Sequence, residues 1–298
     1  MNGSAAIPQN RGSKNGLVRF SPLAAALVLP FLLPIYPGWV RMWIAASAIW
    51  FGCKWSMSFG QTDAMCPQRL SIYWLLWPGM DAKPFAADSD QRTETTDWIQ
   101  GAVLATTGAV LFLVVAPRVI GNHPRAGGWC GWIGLILLLH FGLFHLLAMG
   151  LRQSGIPVQP LMRNPLGATS LADFWGRRWN HAFQEVAQRL LFKPLARRLG
   201  ATVATLSVFL ASGLVHELVI TVPAGGGYGL PTLYFLIQGV GLLVERGSLV
   251  EVMRKGGGWF GRTFTLLVAT APVMLLFPPP FIQGVIVPMI RWVTGLPC

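Results

Sequence analysis

Between positions 201 and 244 the only His, Asp, Glu, Lys or Arg residues are His216 and Glu217. They sit in ATVATLSVFLASGLVHELVITVP, a stretch apolar enough to cross a bilayer. A charge at the centre of the hydrocarbon costs about 2.5–3.5 kcal/mol on insertion scales, so such residues usually face the protein interior and mark functional sites. A neutral imidazole in an apolar site offers a lone pair to a hydroxyl proton, which is the job of a general base. A structural histidine bonded to a neighbouring helix would look the same in sequence. The zincin-type zinc-protease reading fails, because it needs H-E-x-x-H and the chain reads HELVI, with Ile220 in the second histidine's place.

A second group precedes this pair. The run DFWGRRWN covers 173–180, and Asn180 lies 36 residues before His216. Arg177 and Arg178 are suited to phosphate contacts. Asn180 can hydrogen-bond a reacting carbonyl or hydroxyl. Phe174 and Arg178 are four apart, as are Trp175 and Trp179, which predicts an interfacial helix with aromatics and arginines near the headgroups. An interfacial helix that only obeys the positive-inside tendency would share this pattern. An intramembrane histidine beside a basic, aromatic surface suggests chemistry on a lipid with a soluble anionic co-substrate.

Other titratable groups give weaker signals. His140 and His145, in LILLLHFGLFHLL, are five apart and point about 140° from each other on a helix, so they are not a chelating pair. One could line an interior cavity, but the leading expectation is that both are packed and hydrogen-bonded. His123 and His181 fall in loops. Lys54, at the end of an apolar run, is expected to snorkel to the surface. Asp81, in LLWPGMDAKPF, either caps a helix or meets an arginine. Cys53, Cys66, Cys130 and Cys298 are scattered without metal spacing and argue for neither zinc nor disulfides.

The elements that must position these groups are membrane helices. The 298 residues are 53% hydrophobic and only 11% charged, where soluble domains run at about 25% charged. No polar stretch is long enough to fold alone, so the whole of 1–298 is expected to be one integral-membrane domain. Spans of about 20 apolar residues are predicted at 21–37, 39–59, 98–120, 129–151, 201–222, 231–244 and 263–281. An eighth, 282–295, is interrupted by Pro288 and Arg291 and could instead lie at the interface. The segment 71–78 (SIYWLLWP) is too short to span and reads as interfacial or re-entrant. Pro30 and Pro34 should kink the first span, and Pro278–Pro280 should end or break the seventh. Helices are expected over 173–180 and 181–199, with Pro194 kinking or splitting the second and Gly200 ending it.

Charge fixes the orientation. With the N-terminus inside, segments 1–20, 61–97, 152–200 and 245–262 hold 18 of the 23 Lys and Arg. That asymmetry predicts a cytoplasmic N-terminus. It also accounts for the net charge of +12, so no nucleic-acid partner is expected. The 152–200 stretch holds eight cations against Asp173 and Glu185. The polar start, 1–16, lacks a cleavage signal after a short apolar core, so no cleaved signal peptide is expected. The chain has no H-x4-D motif, no G-x-S-x-G elbow, no P-loop and no paired-glycine nucleotide fingerprint. These absences disfavour a serine hydrolase, an ATP-driven pump and a Rossmann oxidoreductase.

The stretch 173–245 resembles the wax synthase branch of the membrane-bound O-acyltransferase (MBOAT) family. The resemblance rests on DFWGRRWN, on the histidine of SGLVHE 36 residues later, and on Gln238-Gly239-Val240 in the next span. LLWPGMDAKPF is similar to a segment of bacterial members. The resemblance implies an all-α polytopic bundle of about 7–8 transmembrane helices, with interfacial helices, around a catalytic tunnel. It implies acyl transfer from acyl-CoA to a hydroxyl, with His216 as the essential histidine and Asn180 as its polar partner. Arg177, Arg178, Trp175, Trp179 and Glu217 are the expected substrate-binding residues. No metal or resident cofactor is implied, since acyl-CoA is a co-substrate. The acceptor would be a long-chain alcohol, with diacylglycerol, a sterol or terpenoid alcohol, or a sugar hydroxyl as alternatives. A bacterial inner membrane is the implied location, with membrane lipids as surroundings. The competing class is a non-catalytic transporter or scaffold that uses His216 and Glu217 as a proton site, although no inverted repeat supports it.

Overall fold

The structure, a computed structural model, describes residues 11–32, 36–62, 65–90, 93–247 and 258–297, with 11–15 described by backbone alone. Pro34, Arg92, Arg254, Lys255, Cys298 and the polar start 1–10 lie outside the described residues. Every regular element among the described residues is a helix. Four helices are long and apolar enough to cross a membrane: Thr95–Ile120, Pro124–Gln153, His181–Ala224 and Gly258–Leu276. Two shorter apolar helices, Gly16–Leu32 and Leu230–Glu245, accompany them. This is an all-α polytopic integral membrane protein.

Prolines shape these helices in a regular way. Four π-helical turns, Leu111–Val115, Ala187–Phe192, Glu217–Thr221 and Ile282–Ile286, each end two residues before a proline: Pro117, Pro194, Pro223 and Pro288. A helical proline lacks its N–H and its ring collides with the carbonyl four residues back. Widening that turn moves the carbonyl aside and lets the helix continue. Pro194, expected to kink or split its helix, is accommodated by such a widened turn without splitting it. The break falls at Gly200, whose φ of 83° and ψ of 164° are open to glycine at little cost. Pro30 acts as expected: the α-helix stops at Val28 and tightens to a 3-10 turn, Leu29–Leu32. Pro278 likewise separates Val273–Leu276 from the helical turns that follow.

The last helical stretch packs into the protein interior. Phe281, Ile282, Val285, Ile286 and Ile290 are buried in a core shared with the Pro124–Ile136 and Leu230–Glu245 helices. A second core joins the Gly38–Ser58 helix, the short Pro67–Leu75 helix and the start of the His181–Val186 helix. Lys54 lies in this second region with no exposed surface. Its ammonium donates to the carbonyl of Tyr73 at 2.5 Å and to that of Trp77. It also faces the rings of Tyr73 at 4.1 Å and Trp50 at 4.7 Å. The expected snorkelling is overturned because the Tyr73 carbonyl, in the last turn of the Pro67–Leu75 helix where carbonyls lack helical partners, and the Trp77 carbonyl just beyond it recruit the amine inward.

Candidate active site

His216 ends the Lys193–His216 helix, and the wide turn Glu217–Thr221 begins directly after it. Such π-turns recur at functional sites because they re-aim side chains. The ring is half-buried. Its Nδ1 lies 2.7 Å from the carbonyl oxygen of Ser212, one turn back. A carbonyl can only accept, so Nδ1 holds the proton and Nε2 presents a lone pair. Nε2 has no hydrogen-bond partner among the described residues. Phe235 of the Leu230–Glu245 helix packs against the imidazole, with ring centroids 4.5 Å apart.

Glu217 points elsewhere. Its Oε1 accepts from the backbone N–H of Thr232 at 3.1 Å and from the Thr232 hydroxyl at 2.8 Å. Its Oε2 accepts from the Thr221 hydroxyl. Thr232 lies in the first turn of the Leu230–Glu245 helix, where backbone N–H groups are free and a negative charge is favourable. Glu217 thus clamps the start of that helix to the helix bearing His216. The two come close because Gly213 faces Thr232: a Cβ at Gly213 would sit 2.6 Å from Thr232 Cα.

The 173–180 run is only partly helical. Ser170 caps Leu171–Asp173, and Phe174–Arg178 follows as a π-turn. Trp179 then leaves the helix with extended geometry, so Trp175 and Trp179 do not share one helix face as the spacing predicts. Trp179 instead folds back, its ring stacking on Phe174 at 5.6 Å and 13°. Asn180 adopts a left-handed conformation, φ 45° and ψ 64°, and caps the His181–Val186 helix: its Oδ1 accepts from Phe183 N–H at 3.5 Å. That commitment assigns the amide oxygen and leaves both Nδ2 hydrogens without a partner among the described residues.

Aromatic rings join the two halves of the site. Trp175 lies 6.5 Å from Trp179 and 5.8 Å from Phe235, the same ring that touches His216. Trp175 Nε1 donates to Gln238 Oε1 at 3.3 Å, and Gln238 Nε2 donates to the Val268 carbonyl at 2.7 Å. Gln238 is fully buried. It locks Trp175, the Leu230–Glu245 helix and the Gly258–Thr270 helix together.

The two arginines differ. Arg178 Nε binds Asp173 at 2.5 Å, and its Nη1 donates to the Asn164 carbonyl at 3.1 Å. Arg177 reaches the same aspartate only at 3.7 Å, and its side chain is 79% exposed. Nearby, Arg163 donates its backbone N–H to the Arg178 carbonyl. Burial, reinforced by Arg152, holds the Arg163 guanidinium below its usual range.

The remaining titratable candidates separate. Asp81 meets an arginine, Arg189, at 3.3 Å. His140 and His145 are packed, but Nδ1 of His140 and Nε2 of His145 are buried without hydrogen-bond partners, against the expectation that both are bonded. Among the described residues no group of three His, Cys, Asp or Glu is placed to hold a metal ion. Sequence reasoning missed Ser212, Phe235 and Thr232 as neighbours of the His–Glu pair. Only Ser212, four residues before His216, had a detectable signal in its spacing.

Residues 158–237, which contain Trp175, Asn180, His216 and Phe235, match the model of the Membrane bound O-acyl transferase family. Over 156 residues the chain is 32% identical to "Probable long-chain-alcohol O-fatty-acyltransferase 9" of Arabidopsis thaliana, covering 47% of this chain and 44% of that protein. It is 38% identical over 71 residues to "Long-chain-alcohol O-fatty-acyltransferase" of Simmondsia chinensis, covering 21% of this chain and 20% of that one. It is 33% identical over 73 residues to "Acyl-CoA--sterol O-acyltransferase 1" of Arabidopsis thaliana, covering 22% and 21%. The chain spans about half the length, at most, of the curated relatives it matches. In the segment that holds His216 and the 173–180 run, this chain is therefore similar to membrane-bound O-acyltransferases.

Proposed function

We propose that this protein is an acyl-CoA-dependent O-acyltransferase that esterifies a lipophilic alcohol. The observation that supports this most is the state of His216: Nδ1 is committed to Ser212 and Nε2 is left as an acceptor, inside the segment similar to that family. In this reading Nε2 takes the proton from the acceptor hydroxyl. The oxygen attacks the thioester carbonyl, and the carbon–sulfur bond breaks. The sulfur leaves as coenzyme A and recovers the proton from the imidazolium, so no covalent enzyme intermediate is needed. Asn180 donates from Nδ2 to the carbonyl oxygen as charge develops there.

The names of the similar proteins support a long-chain alcohol as acceptor, with a sterol next. Loop charge supports a cytoplasmic N-terminus and entry of acyl-CoA from that side. The likeness of LLWPGMDAKPF to bacterial members supports a bacterial inner membrane. A carrier that uses His216 and Glu217 as a proton site fits less well, because both Glu217 oxygens are engaged by threonines.

The test is turnover by the protein purified in detergent. Labelled palmitoyl-CoA is offered with a mixture of fatty alcohols, diacylglycerol and sterol. Labelled ester, with stoichiometric free coenzyme A, is the expected result and identifies the acceptor. Neither product, from palmitoyl-CoA or from acetyl-CoA, would overturn the reading.

A further inference from the structure

Of the two arginines in the 173–180 run, one is already engaged by its surroundings. Arg178 is taken up by Asp173 and Asn164. A different concavity is lined by Arg189, Lys193, Pro194, Arg197 and Arg198. Arg189, Lys193 and Arg197 are four apart, a spacing that stacks side chains on one helix face. Like charges at that spacing destabilise a helix unless an anion sits among them. Asp81 meets Arg189 at one edge. Lys193, Arg197 and Arg198 are exposed and have no carboxylate within ion-pair distance among the described residues. The positive-inside tendency accounts for the sign of this surface. It does not account for four cations converging on one hollow.

The groove also stands in a defined relation to His216. It lies on the helix just before the break at Gly200, and the helix then runs uninterrupted to His216. Sixteen residues at 1.5 Å each give ~24 Å from Gly200 to His216.

We propose that the groove of Arg189, Lys193, Arg197 and Arg198 is a binding site for a phosphate-bearing anion. Two sources share that chemistry: the nucleotide end of the thioester donor and the headgroup of an anionic phospholipid. Guanidinium forks and an ammonium suit either one. The nucleotide assignment rests on the acyltransferase reading, whereas the site itself does not.

The test reads binding rather than turnover, so it is independent of that reading. The full chain in neutral detergent is titrated with adenosine 3′,5′-bisphosphate. In nanodiscs of neutral lipid it is titrated with phosphatidylglycerol. The triple variant Lys193→Gln, Arg197→Gln, Arg198→Gln is compared with the charge-preserving Lys193→Arg, Arg197→Lys, Arg198→Lys. For at least one probe the neutralised variant should weaken binding about tenfold or more, while the charge-preserving one stays near wild type. Loss of the nucleotide alone assigns the donor as the source, and loss of the lipid alone assigns the headgroup. Unchanged affinity for both probes in the neutralised variant, or no binding of either by wild type, would overturn the site. Intact binding in a protein that forms no ester would count against the acyltransferase reading and leave the groove standing.

Discussion

His216 Nδ1 and the Ser212 carbonyl oxygen lie 2.7 Å apart, one helical turn from each other on the same helix. This contact needs no neighbouring helix and no second side chain. It fixes the tautomer with backbone alone, and it holds the ring against Phe235 with Nε2 available. The wide turn that begins at Glu217 precedes Pro223, so the local path of the chain at the candidate base follows from a proline six to seven residues downstream.

Asn180 combines a left-handed backbone, a helix cap and a free amide, and two substitutions separate these. Asn180→Gly keeps the backbone without strain and costs only a few tenths of a kcal/mol at a cap. Its Tm should stay near wild type while turnover falls about 10²–10³, the usual cost of losing one oxyanion donor. Asn180→Ala adds left-handed strain of ~1–2 kcal/mol and should also lower Tm. A glycine variant at full rate would remove Asn180 from the chemistry.

Glu217→Ala should behave as a stability variant. It strips the acceptor from the Thr232 N–H, the Thr232 hydroxyl and the Thr221 hydroxyl. Leaving one buried donor unsatisfied costs ~1–3 kcal/mol. Thermal unfolding in detergent should shift down clearly, with KM for acyl-CoA unchanged. An unchanged Tm with a raised KM would instead make Glu217 a substrate-binding residue.

Arg177 and Arg178 should part company. Arg178→Gln breaks the 2.5 Å ion pair with Asp173 and should lower Tm, since hydrogen bonds to charged groups are worth ~1.5–3 kcal/mol. Arg177→Gln should leave Tm unchanged. Any rise in acyl-CoA KM that it causes should fade at high salt, as expected for an exposed charge. Equal Tm losses in the two variants would contradict this division.

Lys54→Met should destabilise by ~1.5–3 kcal/mol, because the Tyr73 and Trp77 carbonyls lose a charged donor. Chemical denaturation of the detergent-purified protein, compared with wild type, measures it. No loss of stability would mean that these carbonyls find other partners.

These residues also show what the sequence could reveal. Hydropathy located the helices because apolar length is a local property, and segment ends fell close to Gly200 and Pro278. His216 stood out because a titratable group inside an apolar span is conspicuous on its own. Lys54 misled because its fate depends on carbonyls some 20 residues away in sequence, at the end of another helix. Arg178 looked like a phosphate ligand, yet its partner Asp173 was already present in the same run, and only the π-turn brings them together. Phe235 carried no signal beyond that of an ordinary packed helix face, and Gln238 carried one only through the family resemblance. Their role at the site emerges only from how two helices cross at Gly213 and Thr232.

The central claim is that His216 is the base, and kcat for His216→Ala tests it most directly. Wild type and variant are assayed side by side with palmitoyl-CoA and the best acceptor, with Tm and gel filtration confirming that both are folded. The predicted result is a loss of about 10²–10⁴ in kcat with Tm close to wild type. Near-normal turnover by a folded His216→Ala protein would contradict the account.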